Sequence, residues 1–341
     1  LIREEETTQR KTEKGTRPRV WYVDALGEAL EPGAAAEPAD YLWSNRSPDD
    51  RPPPVVPGFE PTPDVVTTLD VPHPPVWGWH IWTYMLTKNV AAGAGIVAAL
   101  MAERTVLHEV VALVFLGVTG FLLVHDLGRP ERFLHILKHG NWSSWLVKGT
   151  YVLMGFGGLT AASLALGLMG AWDAQAAVRW INLPFAVMAS GYTAFLFGQC
   201  KGRELWMEKE FFFALVLRAG LLGTMLGLIV AQGPRGSLLN LFSILILANV
   251  ALLFHERFKR PKERALAVAT EALRSDPSAG VGILLVLAAA AVRPFAVELF
   301  RVTEPGAVTW SVAFAFVAAG LFLYERCLLY TSDAADEEDS V

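Results

Sequence analysis

Residues 76–101 read VWGWHIWTYMLTKNVAAGAGIVAALM, and this stretch decides the fold class. A hydrocarbon core about 30 Å thick needs about 20 residues of helix at 1.5 Å per residue. Trp77 to Met101 supplies a predominantly apolar run of that length. Trp77, Trp79 and Trp82 gather at its start, where an interfacial aromatic belt sits. Ala91-Ala-Gly-Ala-Gly95 provides the small side chains that let helices approach closely in lipid. Within the run, His80, Tyr84 and Lys88 recur at i, i+4 and i+8, so they form one polar stripe that ends near mid-membrane.

Seven similar blocks follow, at about 106–125, 145–170, 178–200, 210–232, 237–256, 279–300 and 308–329. They predict an all-α integral membrane protein with eight transmembrane helices over residues 76–330. Between the sixth and seventh blocks, Glu263 to Ser275 alternates apolar and charged residues at helical spacing, which predicts a short helix in the membrane interface. Composition agrees: 53% of the 341 residues are apolar and 18% are charged, a balance that excludes a soluble or disordered chain. Residues 1–75 hold 13 of the 20 prolines and predict an extended extramembrane tail. Residues 331–341 form a short acidic tail. A net charge of -5, with the basic residues confined to particular loops, gives no support to nucleic-acid binding.

Two cysteines, Cys200 and Cys327, cannot ligate an iron–sulfur cluster or a cysteine zinc site, so any metal redox centre is expected in another polypeptide. Eight spans put both termini on one side. The loops there (126–144, 201–209 and 257–278) carry twelve Lys/Arg, against Arg104, Arg179, Arg235 and Arg301 on the other. The positive-inside rule then predicts cytoplasmic termini.

An ionisable group at the bilayer centre costs at least about 2.5 kcal/mol, so each one needs a partner or a purpose. His80 and Tyr84 are either interfacial anchors, with Lys88 snorkelling, or the lining of a ligand pocket with a proton path. Asp126 and Arg129, in His125-Asp-Leu-Gly-Arg-Pro130, either cap a helix end as an ion pair or present opposite charges to a ligand. Tyr192 lies about 12 Å inside the fourth block and needs a hydroxyl partner there. Arg218, Arg293 and Glu298 read first as ion pairs that lock the bundle. Glu109 and Glu298 are also candidates to continue a proton path from Lys88 toward the far side.

Taken together, His125-Asp-Leu-Gly-Arg-Pro-Glu-Arg-Phe133, Ser143-Ser-Trp145, Gly191-Tyr-Thr193 and Lys201-Gly-Arg-Glu-Leu-Trp206 resemble the NrfD/PsrC family of haem-free membrane subunits of polysulfide reductase and related complexes. The resemblance implies two four-helix bundles and quinone or menaquinone chemistry in the first of them. It implies an iron–sulfur partner subunit, a further catalytic subunit and a prokaryotic cytoplasmic (inner) membrane location. Carried onto this sequence, the quinone-pocket histidine is His80 and the pocket tyrosine Tyr192, with Asp126 and Arg129 in the motif after the second helix. Thr16-Arg-Pro-Arg-Val-Trp-Tyr-Val23 resembles the end of a ferredoxin-like subunit, which implies clusters in a partner or in a missing upstream domain. The expected function is that of a quinone-reactive membrane anchor passing electrons between the quinone pool and an iron–sulfur partner. A secondary transporter or a purely structural anchor is the alternative. A b-type cytochrome is disfavoured because the histidines lie in the tail, in loops or near helix ends rather than inside the bundle.

Overall fold

The computed structural model of the protein describes residues 79–101, 104–126, 140, 142–199, 204–231, 235–261, 264–300 and 306–338. The Pro-rich tail, with the ferredoxin-like stretch inside it, and Arg129 lie outside the described residues, as do the side chains of Asp126, Arg293 and Glu298. The described chain is helical: α1 (Trp79–Leu100), α2 (Leu107–Asp126), α3 (Trp145–Leu168), α4 (Trp172–Phe197), α5 (Glu204–Met207), α6 (Glu210–Val230), α7 (Gly236–Phe258), α8 (Arg264–Ser275), α9 (Pro277–Phe300) and α10 (Ala307–Glu338).

Hydrophobic burial alone cannot organise these helices, because lipid is as apolar as their side chains. Their exposed faces are accordingly apolar: α2 turns Val110, Val114, Val118 and Phe121 outward at near-helical repeat. Among the described residues, six helices are long and apolar enough to cross a membrane: α2, α3, α4, α6, α7 and α10. A seventh follows if α8 and α9, bent by 66° at Asp276, count as one span. The eight separate spans expected from the sequence are not reached on this criterion. The helix left out is α1, whose Thr83, Thr87, Lys88 and Asn89 dilute an otherwise apolar segment. It is an apolar helix with a polar stripe that the others enclose, and 15 of its 22 residues are buried.

Helices α1 to α4 pack as one group and α6, α7, α9 and α10 as a second, with α1 against α6 and α4 against α6 as the seam. Small residues set the closest approaches. A Cβ on Gly93 would collide with the backbone of Ala219 and Gly223, and one on Gly223 with the backbone of Gly93. Gly282 and Gly320 allow the same contact between α9 and α10. The expected interfacial helix is present as α8, and its joint with α9 is held by side chains. Asp276 Oδ1 accepts from the Ser278 backbone N–H at 2.7 Å, Pro277 takes the first helical position, and Arg257 donates to the carbonyls of Arg274 (2.6 Å) and Asp276 (3.3 Å).

Gly223→Val is expected to separate α1 from α6, lowering both membrane yield and melting temperature in detergent. Gly117→Ala, where nothing lies within 4 Å of the added methyl, should leave both unchanged or slightly raised.

Candidate functional site

The starts of α1 and α3 meet the ends of α2 and α4 at one end of the first bundle. There the His80 and His125 rings stack at 5.0 Å, and Trp145 stacks on Phe195 at 4.4 Å. One turn deeper, the Tyr84 hydroxyl shares a 3.0 Å hydrogen bond with Thr193 Oγ1, and a second turn brings Lys88. The Lys88 ammonium is fully enclosed. It donates to the Ser190 carbonyl at 2.7 Å and to Thr193 Oγ1, and it lies 5.0 Å from the centre of the Tyr192 ring. Two of its three N–H donors are thereby used. Tyr192 is buried and packs flat against Gly149, where any side chain would collide with the ring, so α3 carries glycine at this level because α4 carries tyrosine. Thr87, bonded to Thr119 at 2.9 Å, ties the same level of α1 to α2.

Beneath this polar level the four helices contribute an apolar layer. Ala91, Ala92 and Ala94 of α1, Ala112 of α2, Phe156 of α3, and Ala186 and Ala189 of α4 pack into one buried cluster. Below the layer polar groups return. Arg179 Nε donates to Glu109 at 2.6 Å, and Glu109 also accepts from Ser163 at 2.7 Å and Gln175 at 3.2 Å. Asn182 donates to Thr160 at 2.9 Å. Helices α2, α3 and α4 thus read polar, apolar, polar along their lengths, while α1 runs on from Asn89 as apolar side chains alone.

Across the seam the second bundle holds a buried cluster of charges that includes Glu325 on α10. Glu325 lies 3.6 Å from Arg218 on α6, and Arg218 donates to Glu256 on α7 at 2.8 Å while its guanidinium covers the Tyr324 ring at 5.5 Å. All of these charges are buried, and neither Glu325 oxygen has a hydrogen-bond partner among the described residues.

The profile of the polysulphide reductase NrfD family matches residues 68–333, most of the chain and all of the membrane helices except the end of α10. The chain belongs to the NrfD family. NrfD proteins are membrane subunits of quinone-interacting oxidoreductase complexes, and this chain is a multi-pass member of that class. They assemble with catalytic and iron–sulfur subunits. The matched stretch starts well after residues 16–23, so it lends no support to a ferredoxin-like tail. No curated protein matches the chain at a meaningful level. Among the described residues no cluster of His, Cys, Asp and Glu could hold a metal ion.

Within this NrfD chain, four of the residues singled out from sequence, His80, Tyr84, Lys88 and Tyr192, lie in the His80-end half of α1 and α4. Asp126 ends α2 beside His125, at the same end. Glu109 stands on the other side of the apolar layer, engaged by three partners, and Glu298 belongs to α9. Sequence reading overlooked Ser190, Thr193, Glu256 and Glu325. Glu256 and Glu325 each stand beside an arginine near a block's end, in His-Glu-Arg257 and Tyr-Glu-Arg326, and so look like headgroup-level charges. The available signal was Arg218, a buried cation that demanded carboxylates from other helices.

Arg218→Ala is expected to destabilise the subunit by about 3–5 kcal/mol, because it strands two buried carboxylates. Arg218→Met combined with Glu256→Gln and Glu325→Gln should recover much of that loss. Thermal unfolding in detergent compares the two.

Proposed function

We propose that this chain is the quinone-reactive subunit of its complex, exchanging electrons between the quinone or menaquinone pool and an iron–sulfur partner docked at the His80 end. The observation that carries this reading is the convergence of His80, Tyr84, Lys88 and Tyr192 at one end of a single four-helix bundle, in a segment otherwise suited to lipid. The quinone supplies the two-electron redox step, and the chain supplies position and protons. Quinone carbonyls require hydrogen-bond donors, and the two phenols and the Lys88 ammonium are donors of that kind, supported from behind by Ser190 and Thr193. The half-buried His80 ring stands nearer the bundle end, where protons and headgroup can enter, and Asp126 and Arg129 complete the polar mouth in this reading.

Lys88 acts as the inner proton relay. Glu109, beyond the apolar layer, and Glu298 on α9 are the candidates to carry the route onward in this reading. The setting is the cytoplasmic membrane of a prokaryote with the basic loops inside, as the loop charges favour.

His80→Ala and Tyr192→Phe should each lower quinol turnover by about tenfold or more, since a positioned proton donor contributes about 10²–10⁴-fold. Membrane insertion should be retained. Parental turnover in both variants would move the pocket out of the first bundle. Lys88→Met should assemble with its partners yet lose quinone-coupled proton uptake. Poor assembly would mark Lys88 as a structural pin, and normal uptake would end the relay reading.

A further inference from the structure

At the Arg179 end of the first bundle a cavity of about 300 Å³ opens between the end of α1 and the start of α4. Arg104, Trp172 and Asp173 line its outer part, and the buried Ala98, Gln175 and Arg179 line its inner wall. Ala98 and Arg179 also line a second, smaller void of about 10 Å³ at the centre of the four helices, so the two spaces share a wall. The inner void is bounded by His108, Glu109, Thr160, Ser163 and Asn182. Two of these side chains are buried with polar atoms that have no partner among the described residues: both ring nitrogens of His108, 2% exposed, and Oδ1 of Asn182, 5% exposed.

Unpaired buried polar atoms cost about 1–3 kcal/mol each. A water molecule needs about 10–15 Å³ and two to four polar partners, and it is the smallest ligand that would satisfy these groups. We infer that the Arg179 end of the bundle is a water-access site: a hydrated outer cavity that ends on the Arg179–Glu109 ion pair, and behind the pair one internal water held by His108 and Asn182. The layer of Phe156, Ala186, Ala189 and Ala112 stops this water from reaching Lys88. Arg179 bounds both spaces while it binds Glu109 and the Thr105 carbonyl, so it is the side chain whose swing joins them. The inference does not depend on where a quinone binds.

The test uses the full chain in sealed membrane vesicles, with Cys200 and Cys327 replaced by alanine. Ala98→Cys is compared with Val97→Cys, which is also buried but turned toward Gly227 of α6. A membrane-impermeant cationic methanethiosulfonate applied from the Arg104 face should modify Ala98→Cys at least about tenfold faster, because a thiol reacts as its solvated thiolate and a dry one is inert. Equal rates, or modification from the His80 face alone, would overturn the outer cavity. His108→Leu tests the internal water, independently of labelling and of turnover. In a dry void this change removes two unsatisfied nitrogens and raises the melting temperature. Around a bound water it removes a partner, and the melting temperature should fall. A melting temperature equal to or above the parent's would rule the water out.

Discussion

Where α1 crosses α6, backbone meets backbone. Gly93 and Gly223 leave no room for a side chain on either helix, and the seam between the two bundles rests on that contact. In lipid, van der Waals packing replaces the hydrophobic effect as the force between helices, so a crossing this close is where it acts most strongly. It also fixes what α1 can reach. From one position Lys88 touches Ser190 and Thr193 of α4. The charges of the second bundle, Arg218 with Glu256 and Glu325, form their own buried cluster on the other side of that seam.

The interior is ordered by polarity rather than by apolar bulk. Polar groups at the His80 end, a layer of alanines around Phe156, and polar groups again at the Arg179 end succeed one another along the first four helices. The middle layer consists almost wholly of small side chains, and this lets four helices close on one phenyl ring without leaving a continuous path for ions. Quinone chemistry near Lys88 and water access near Arg179 would then occupy opposite sides of the same layer.

Much of this was legible in the residues. Block length and tryptophan placement predicted the helices, and the four-residue repeat of His80, Tyr84 and Lys88 gave the polar stripe its direction. The family resemblance carried by Asp126 to Arg129 and by Gly191-Tyr-Thr193 agrees with the match over residues 68–333. Two things escaped for a common reason. The partners of Lys88 and Arg218 come from helices far apart in sequence, and a single sequence does not say which helix ends are neighbours. Glu256 and Glu325 looked like surface charges because their depth depends on how far the neighbouring helices rise around them. The span count faltered on α1 for a related reason, since a helix enclosed by others can be more polar than a lipid-facing one.

That enclosure bears on the order in which the protein can be built. The earliest of the described helices carries an ammonium, an asparagine and three threonine or tyrosine hydroxyls between positions 83 and 89. On leaving the ribosome it meets lipid with none of its partners yet made. Thr193 and Ser190 come a hundred residues later, and the glycine that receives Gly93 later still. The polar side chains of α1 are therefore satisfied only once α4 and α6 are in place, so the cost of lodging this helix in lipid is offset by helices made after it.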